Sequence, residues 1–371
     1  MDYIIIGAGI TGLYAGYLLE NSLILEKDDH IGGRIQQTKF HGSTVQLGAG
    51  VIRDTDKHLL QLVKKLKLKY FTFESEYLYN IPNFDKNWYN KHVKELKIIE
   101  NQSMKETLQK HFKYDTKKVN LFIQSYNYTD YLKADTNKTL THYPRNEFYI
   151  KKKTYHMLEE GFYTIIKELA KYSKIKKNTT VESILLDNNG QWIVTTNNGI
   201  YHAKHVICAI DLIGLKNIKF DKSITCVKYM KNYIRGNNFI RIYTYHDEMS
   251  IPNSILTNTI LKQIIPISNK VVMSGYSDNE NASKLLKISD DNKKLFKLIN
   301  KSVKNFGMVS KIKDKIIQYW NVGTHYYKPG YTNKCNYFSE KNVHFIGEMV
   351  AFNQGWVDGA IFSVNNLIKN I

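Results

Sequence analysis

Apolar residues gather at the start of the chain into a β-α-β pattern. Residues 1–6 read Met-Asp-Tyr-Ile-Ile-Ile and pass straight into the turn Gly7-Ala8-Gly9-Ile10-Thr11-Gly12. A helical stretch follows, and a second apolar run, Leu23-Ile24-Leu25, ends on Glu26, fourteen residues after Gly12. A glycine-rich turn between strand and helix lets a pyrophosphate approach the backbone and meet the free amides of the helix start. An acidic residue closing the second strand is placed to accept hydrogen bonds from a ribose and disfavours a 2′-phosphate there. The pattern predicts a dinucleotide site; its plainer alternative is a tight turn in an ordinary α/β domain.

The pattern then changes several times. Residues 27–35 form a polar turn carrying Gly32, Gly33 and Arg34, and residues 44–52 a short strand leaving through Gly48, Ala49, Gly50 and Val51. Helix periodicity marks 57–68. From 70 to 155, aromatics and scattered charge, with helix-like pieces at 93–99 and 104–112, predict a helical or mixed unit inserted into the nucleotide fold. A helix at 163–172 leads to strands at 180–186, 191–195 and 200–202, joined by two Asn-Gly turns that signal hairpins, and then to a buried strand at 205–210. Strands are expected at 239–245, 259–266, 270–276 and 312–320, helices at 282–288 and 291–303, and a cavity-lining loop at 321–330. The tail offers a strand at 343–348 and a helix start at 355–360.

Composition narrows this picture only a little. A hydrophobic fraction of 43% and an aromatic fraction of 13% over 371 residues exclude a disordered chain and allow two or three domains. The formal charge of +19 would attract polyanions, but the lysines are dispersed, and no specific nucleic-acid partner is expected. Cys208, Cys226 and Cys335 lack metal-ligand spacing, so no metal is expected and a reducing compartment fits. No apolar run approaches the roughly 20 residues of a membrane span and no signal peptide is recognisable. A soluble, intracellular, cytoplasmic protein is expected.

With both ends in view the chain resembles the flavin-containing amine oxidases, the monoamine oxidase and polyamine oxidase superfamily. The resemblance rests on Gly7/Gly9/Gly12, Glu26, Gly32-Gly33-Arg34, Leu47-Gly48-Ala49, Gly347-Glu348 and Gly355-Trp356-Val357-Asp358-Gly359-Ala360. It implies an α/β fold: a Rossmann-like FAD-binding domain of GR2 type built from 1–75, 161–228 and 336–371. A mixed sheet-plus-helices substrate domain is then inserted as 76–160 and 229–335. It implies FAD, held non-covalently because Thr324 occupies the place where some members carry a flavin-linking cysteine. Gly9, Ile10, Thr11 and Arg34 would meet the pyrophosphate, with Gly7, Gly12 and Gly33 shaping the cradle. Glu26 would hold the adenosine ribose, the Val181 backbone the adenine side, and Gly347-Glu348 the ribityl-phosphate region. Gly48, Ala49, Gly50 and Val51 would border the isoalloxazine with Trp356 and Val357, Ala360 lying in the same helix start.

The resemblance also implies two aromatic residues framing the ring face. Trp356 matches one; the other falls at His325, or at Tyr326 if the alignment shifts by one. The lysine many members place near the ring corresponds to Arg241, with Lys262 and Lys270 as alternatives. The implied activity is oxidation of a primary or secondary amine to an imine, O2 reoxidising the flavin to give H2O2, with a homodimer as a further expectation. Two alternatives stand beside it. One is a flavin-dependent oxidase or desaturase of a polyprenoid, a porphyrin-like ring or an acidic amino acid, which the positive charge would favour; the other is a flavin-binding partner without turnover.

Overall fold

A computed structural model of the protein describes residues 1–142, 145–247, 251, 253–306, 311–332 and 337–371; Cys335 falls outside them. The first unit is built on a six-stranded sheet in the order Phe338–Glu340, Val343–Phe345, His205–Cys208, Tyr3–Ile6, Ser22–Leu25, Ile175–Lys176. All pairings are parallel except the outermost, Phe338–Glu340 against Val343–Phe345. Tyr3–Ile6 sits centrally, in register with His205–Cys208 on one side and Ser22–Leu25 on the other. A parallel strand covered on both faces must be apolar throughout, which is why Ile4 and Ile5 are both fully buried. Helices Ile10–Leu18, Tyr163–Ala170 and Val357–Ile368 bring Leu13, Ile165, Ile361 and Val364 into one core with Ile5 and Ile24. The chain therefore returns at its end to the sheet on which it began.

A second sheet carries the hairpins. Val181–Leu186, Trp192–Thr196 and Gly199–Ala203 pair antiparallel, and Lys219–Phe220 joins Val181–Leu186 in parallel. The fully buried Trp192 ties this sheet to the first unit, its indole N–H donating to the Lys341 carbonyl at 2.9 Å.

The inserted unit has its own six-stranded sheet, ordered Ile312–Tyr327, Ile234–His246, Val271–Asp278, Gln263–Pro266, Ser254–Thr257, Tyr77–Asn80. Here the structure departs from the sequence expectations. Ile312–Tyr327 is one strand of 16 residues, paired with the 13-residue Ile234–His246 along its length, so 321–327 is strand and not loop. Gly323, which suggests a turn, is small for a packing reason: a Cβ there would stand 2.7 Å from the Phe239 ring. The stretch 70–155 also holds strands, Tyr70–Ser75, Tyr77–Asn80 and Lys153–Leu158, whose aromatics pair across the sheet, as Phe73 does with Tyr155.

The remaining helices of this stretch include Lys86–Glu95, Met104–His111, Thr116–Gln124 and Thr136–His142. The helix expected at 93–99 ends at Glu95 and begins earlier, because the Asp85 carboxylate caps the amides of Asn87 and Trp88. Ser103 and Glu106 form a capping box at the start of Met104–His111. Of the span expected as a strand at 259–266, only Gln263–Pro266 is one.

Candidate active site

The cradle is built from backbone. Gly7 follows the first strand at φ +100° and Gly12 packs so tightly that a Cβ would lie 1.9 Å from the Gly7 carbonyl oxygen. Gly9 differs: a Cβ there would meet no atom within 4 Å and would project into open space at the N-terminus of helix Ile10–Leu18, a terminus without a side-chain cap. Open space before uncapped amides is the arrangement that receives a phosphate. Gly32 bridges to Gly9 in parallel, its N–H donating to the Ala8 carbonyl at 2.9 Å, so the second glycine turn lies against the first. Glu26, 7% exposed, accepts the Ala8 amide at 2.7 Å and the Asp28 amide at 3.0 Å. The Thr179 amide donates to the Glu26 carbonyl, bringing the segment that leads into Val181 to the same end.

Arg34 connects this end to the next. Its guanidinium donates to the Gly323 carbonyl at 2.7 Å and to Glu348 at 2.8 Å. Glu348 is a hub: one oxygen accepts the amides of His325 and Gly355, and the other accepts Arg34 and the His325 Nδ1–H at 2.6 Å. Burial works to raise the Glu348 pKa, but His325 and Arg34 facing it hold the carboxyl well below the usual carboxylate range. Gly347 abuts Thr11, so this hub stands beside the phosphate cradle. Gly9, Gly33, Arg34, Glu348, Gly347 and Thr11 thus follow one another in a continuous series of contacts, with Glu26 bonded to Ala8 at its start.

His325 does not wall a cavity. Its side chain is wholly buried, Nδ1 spent on Glu348 and Nε2 accepting the Leu212 amide at 3.2 Å. The expectation of an exposed ring there fails because strand alternation turns His325 towards Glu348. Tyr326 takes the other face of the strand, opposite Arg235 in the neighbouring one.

The two units meet over residues 46–49. The Gln46 carbonyl accepts Arg241 at 2.7 Å and the Tyr243 hydroxyl at 2.5 Å, and the Leu47 carbonyl accepts the Trp320 indole N–H at 2.8 Å. Ala49 is fixed in turn by donating to the Arg34 carbonyl at 3.1 Å, which places the Gly48–Val51 turn between cradle and inserted sheet. Beyond it stand Tyr128, Phe239 and Tyr276, with ring centroids 5.7 to 6.4 Å apart, and the Arg241 guanidinium lies 4.5 Å from the Tyr276 ring centre. Tyr128, Arg241, Tyr276 and Trp320 all keep part of their surface accessible.

Trp356 stands at the N-terminus of helix Val357–Ile368, next to Gly355, whose amide donates to Glu348, and its ring is covered by the Arg53 guanidinium at 3.6 Å. Arg53 is itself anchored by Asp56, and Asp358 accepts the Leu59 amide at 2.9 Å, so helices Lys57–Lys65 and Val357–Ile368 fix the tryptophan from both sides. Ala360 is buried in that helix.

Sequence reasoning missed a buried acid pair. Asp278 accepts the amides of Thr129 and Asp130 at 2.6 and 2.9 Å and the Thr129 hydroxyl. Asp130 faces Thr324 and is pushed up to about 8 by burial and by the charges of Asp278 and Glu348. Lys262, whose amine burial pushes down to about 8, donates to the Ile123 and Gln124 carbonyls at 3.1 Å. It is therefore directed at helix Thr116–Gln124, whereas Arg241 lies on the seam. Residues 130 and 324 are far apart in the chain, and no local pattern links them.

Fold and site together define a dinucleotide-binding α/β protein whose cradle is extended by an inserted, aromatic-walled unit. Residues 5–66 match the NAD(P)-binding Rossmann-like domain and residues 99–239 the flavin containing amine oxidoreductases. Maize "Polyamine oxidase 1" is 35% identical over 85 residues, 20% of this chain and 17% of that protein. "Polyamine oxidase 7" of rice (Oryza sativa subsp. japonica) is 51% identical over 51 residues, 12% of this chain and 11% of that protein. The matched stretches thus span less than a fifth of those relatives. In fold the likeness is complete: a putrescine oxidase solved with putrescine aligns over 100% of this chain and 98% of its own, with TM-score 0.75 at 14% identity. In both comparisons the chain is similar to the flavin containing amine oxidoreductases, by sequence over residues 99–239 and by fold over its whole length. The family's flavin dinucleotide fits the residues present: open space at Gly9, an acid at the ribose end, and a tryptophan-capped helix start at the other.

Proposed function

We propose that the protein is an FAD-dependent oxidase that converts a primary or secondary amine to an imine and passes the electrons to O2, giving H2O2. The observation that carries this reading is the seam where residues 46–49, bonded to Arg34 of the cradle, meet Arg241 and Trp320 of the inserted sheet, with Tyr276, Tyr128 and Phe239 packed beside Arg241. FAD, when bound, supplies the two-electron redox chemistry. The chain's own part is to bind and orient. Gly9 and the amides of helix Ile10–Leu18 take the pyrophosphate, Glu26 the ribose, and the Glu348 hub fixes the strand and helix start that border the ring. The aromatic wall excludes water and favours an uncharged amine in position to react. Asp130, titrating near neutral pH behind Thr324, is the acid beside this wall that can exchange a proton.

Attachment is non-covalent on this reading. Among the described residues, Cys208 is buried in the sheet core and Cys226 starts helix Cys226–Tyr233, and Thr324 stands where some members carry the linking cysteine. The names of the relatives make diamines and polyamines the first substrates to try. Among the described residues no helix is long and apolar enough to cross a membrane. The odd, widely spaced cysteines of the sequence support a reducing, cytoplasmic setting, and we expect a homodimer, which sedimentation would decide.

The test is an absorption spectrum before and after denaturation, followed by anaerobic mixing with mono-, di- and polyamines, acidic amino acids and polyprenoids. Free flavin released on denaturation and bleaching by an amine alone are expected. A protein that takes up no FAD, or flavin bleached only by a non-amine, overturns the proposal.

A further inference from the structure

The inserted helices hold a cluster remote from the cradle. His92 and Glu95 lie one turn apart on helix Lys86–Glu95, and His111 ends helix Met104–His111. His92 Nδ1 stands 2.9 Å from His111 Nε2 and 3.5 Å from a Glu95 carboxylate oxygen, and one ligand atom from each of the three residues fits within a 4.8 Å spread. Four-coordinate zinc binds imidazole and carboxylate at about 2.0–2.2 Å, which sets its ligand atoms roughly 3.3 Å apart. The His92 to Glu95 separation already agrees, and the two imidazoles need open by only a few tenths of an ångström.

The surroundings support a site. Trp88 and Phe112 stack at 5.6 Å and form an apolar floor, with both imidazoles edge-on to Phe112 at 4.7 and 4.8 Å, so the ring planes are held by packing. Glu95 is half-exposed and its ion pair with Lys91 is 3.9 Å long, too loose to hold the carboxylate against a metal. Sequence spacing hides the set because His111 is 19 residues from His92.

We propose that His92, Glu95 and His111 form a zinc-type divalent metal site with an open fourth position, clamping helix Lys86–Glu95 to helix Met104–His111. Two histidines and one carboxylate favour zinc over magnesium or calcium, which prefer all-oxygen ligands. The site closes the connection between the two helices and serves the packing of the inserted unit, independently of flavin chemistry.

The experiment uses the full chain, treated with chelator, dialysed and titrated with Zn2+ at pH 7.5 by calorimetry. The cobalt form is examined for the visible bands of a four-coordinate centre. One equivalent of Zn2+ is expected, with affinity falling at least tenfold in Glu95→Gln and further in His111→Gln, and a rise in thermal midpoint with Zn2+ that both variants lose. Glu95→Gln alters an exposed side chain, so its loss of binding cannot be assigned to misfolding. No stoichiometric uptake, or unchanged affinity in either variant, overturns the proposal and leaves a hydrogen-bonded imidazole pair.

Discussion

The cradle and the aromatic wall are built in opposite ways. In the cradle, recognition is carried by backbone: glycines at fixed spacing, amides at a helix start, one carboxylate closing a strand. Every part but the Glu348 hub lies within 34 residues of the N-terminus. The wall is carried by side chains from four distant segments, Tyr128, Phe239 to Arg241, Tyr276 and Trp320, brought together by long antiparallel strands. A ligand of fixed shape can be met by a short, local backbone device. A substrate that distinguishes one member from another needs side chains that can change without disturbing that device.

Two glycines give the sharpest test of this difference and the largest effect. Gly12→Val should abolish flavin loading and soluble expression, since its side chain would collide with the backbone at Gly7. Gly9→Ala should leave the apo fold intact, with unchanged circular dichroism and thermal midpoint, yet weaken FAD about tenfold or more, because its methyl fills ligand space. Equal damage to fold by both would break the contrast. At the start of the C-terminal helix, Trp356→Ala should lower kcat/KM by roughly 100-fold, about 3 kcal/mol in the transition state, while flavin content stays full.

His325→Ala probes the hub that joins the two regions. It removes a donor from Glu348 and the acceptor of the Leu212 amide, and unfolding in urea should show a loss of about 2 kcal/mol with weaker flavin retention. Reckoned per pH unit, the smallest effect concerns Asp130. Its folded pKa, about 8, lies above its ordinary 3.8, so its contribution to stability is complete below about pH 4 and is lost as the pH rises to about 8. Between pH 5 and 8 the wild type should lose stability relative to Asp130→Asn by about 1 kcal/mol per pH unit. Parallel profiles would show that Asp130 is ionised throughout.

The same contrast explains what could be read from the chain. Gly7 to Gly12 and Glu26 are legible because a phosphate cradle forces residue types at short, fixed intervals. The return of Val343–Phe345 to the central sheet is legible because a strand buried on both faces must be apolar. Ile312–Tyr327 is not, since Gly323 is small to clear Phe239, and a glycine required by packing looks like one required by a turn. His325 misleads in the same way: an aromatic in the expected stretch suggests a cavity wall, but strand alternation decides which side it faces, and one position reverses the answer. Asp130 and Asp278 meet only through the tertiary fold, 148 residues apart.

The carbonyls of Gln46 and Leu47 accept Arg241, Tyr243 and Trp320 from the inserted sheet. The inserted unit is therefore not a cassette that can be exchanged between relatives at its own boundaries. A chimera would have to carry residues 46–49 with the wall, or replace all three donors together. The site of recombination that preserves function lies inside the nucleotide-binding half.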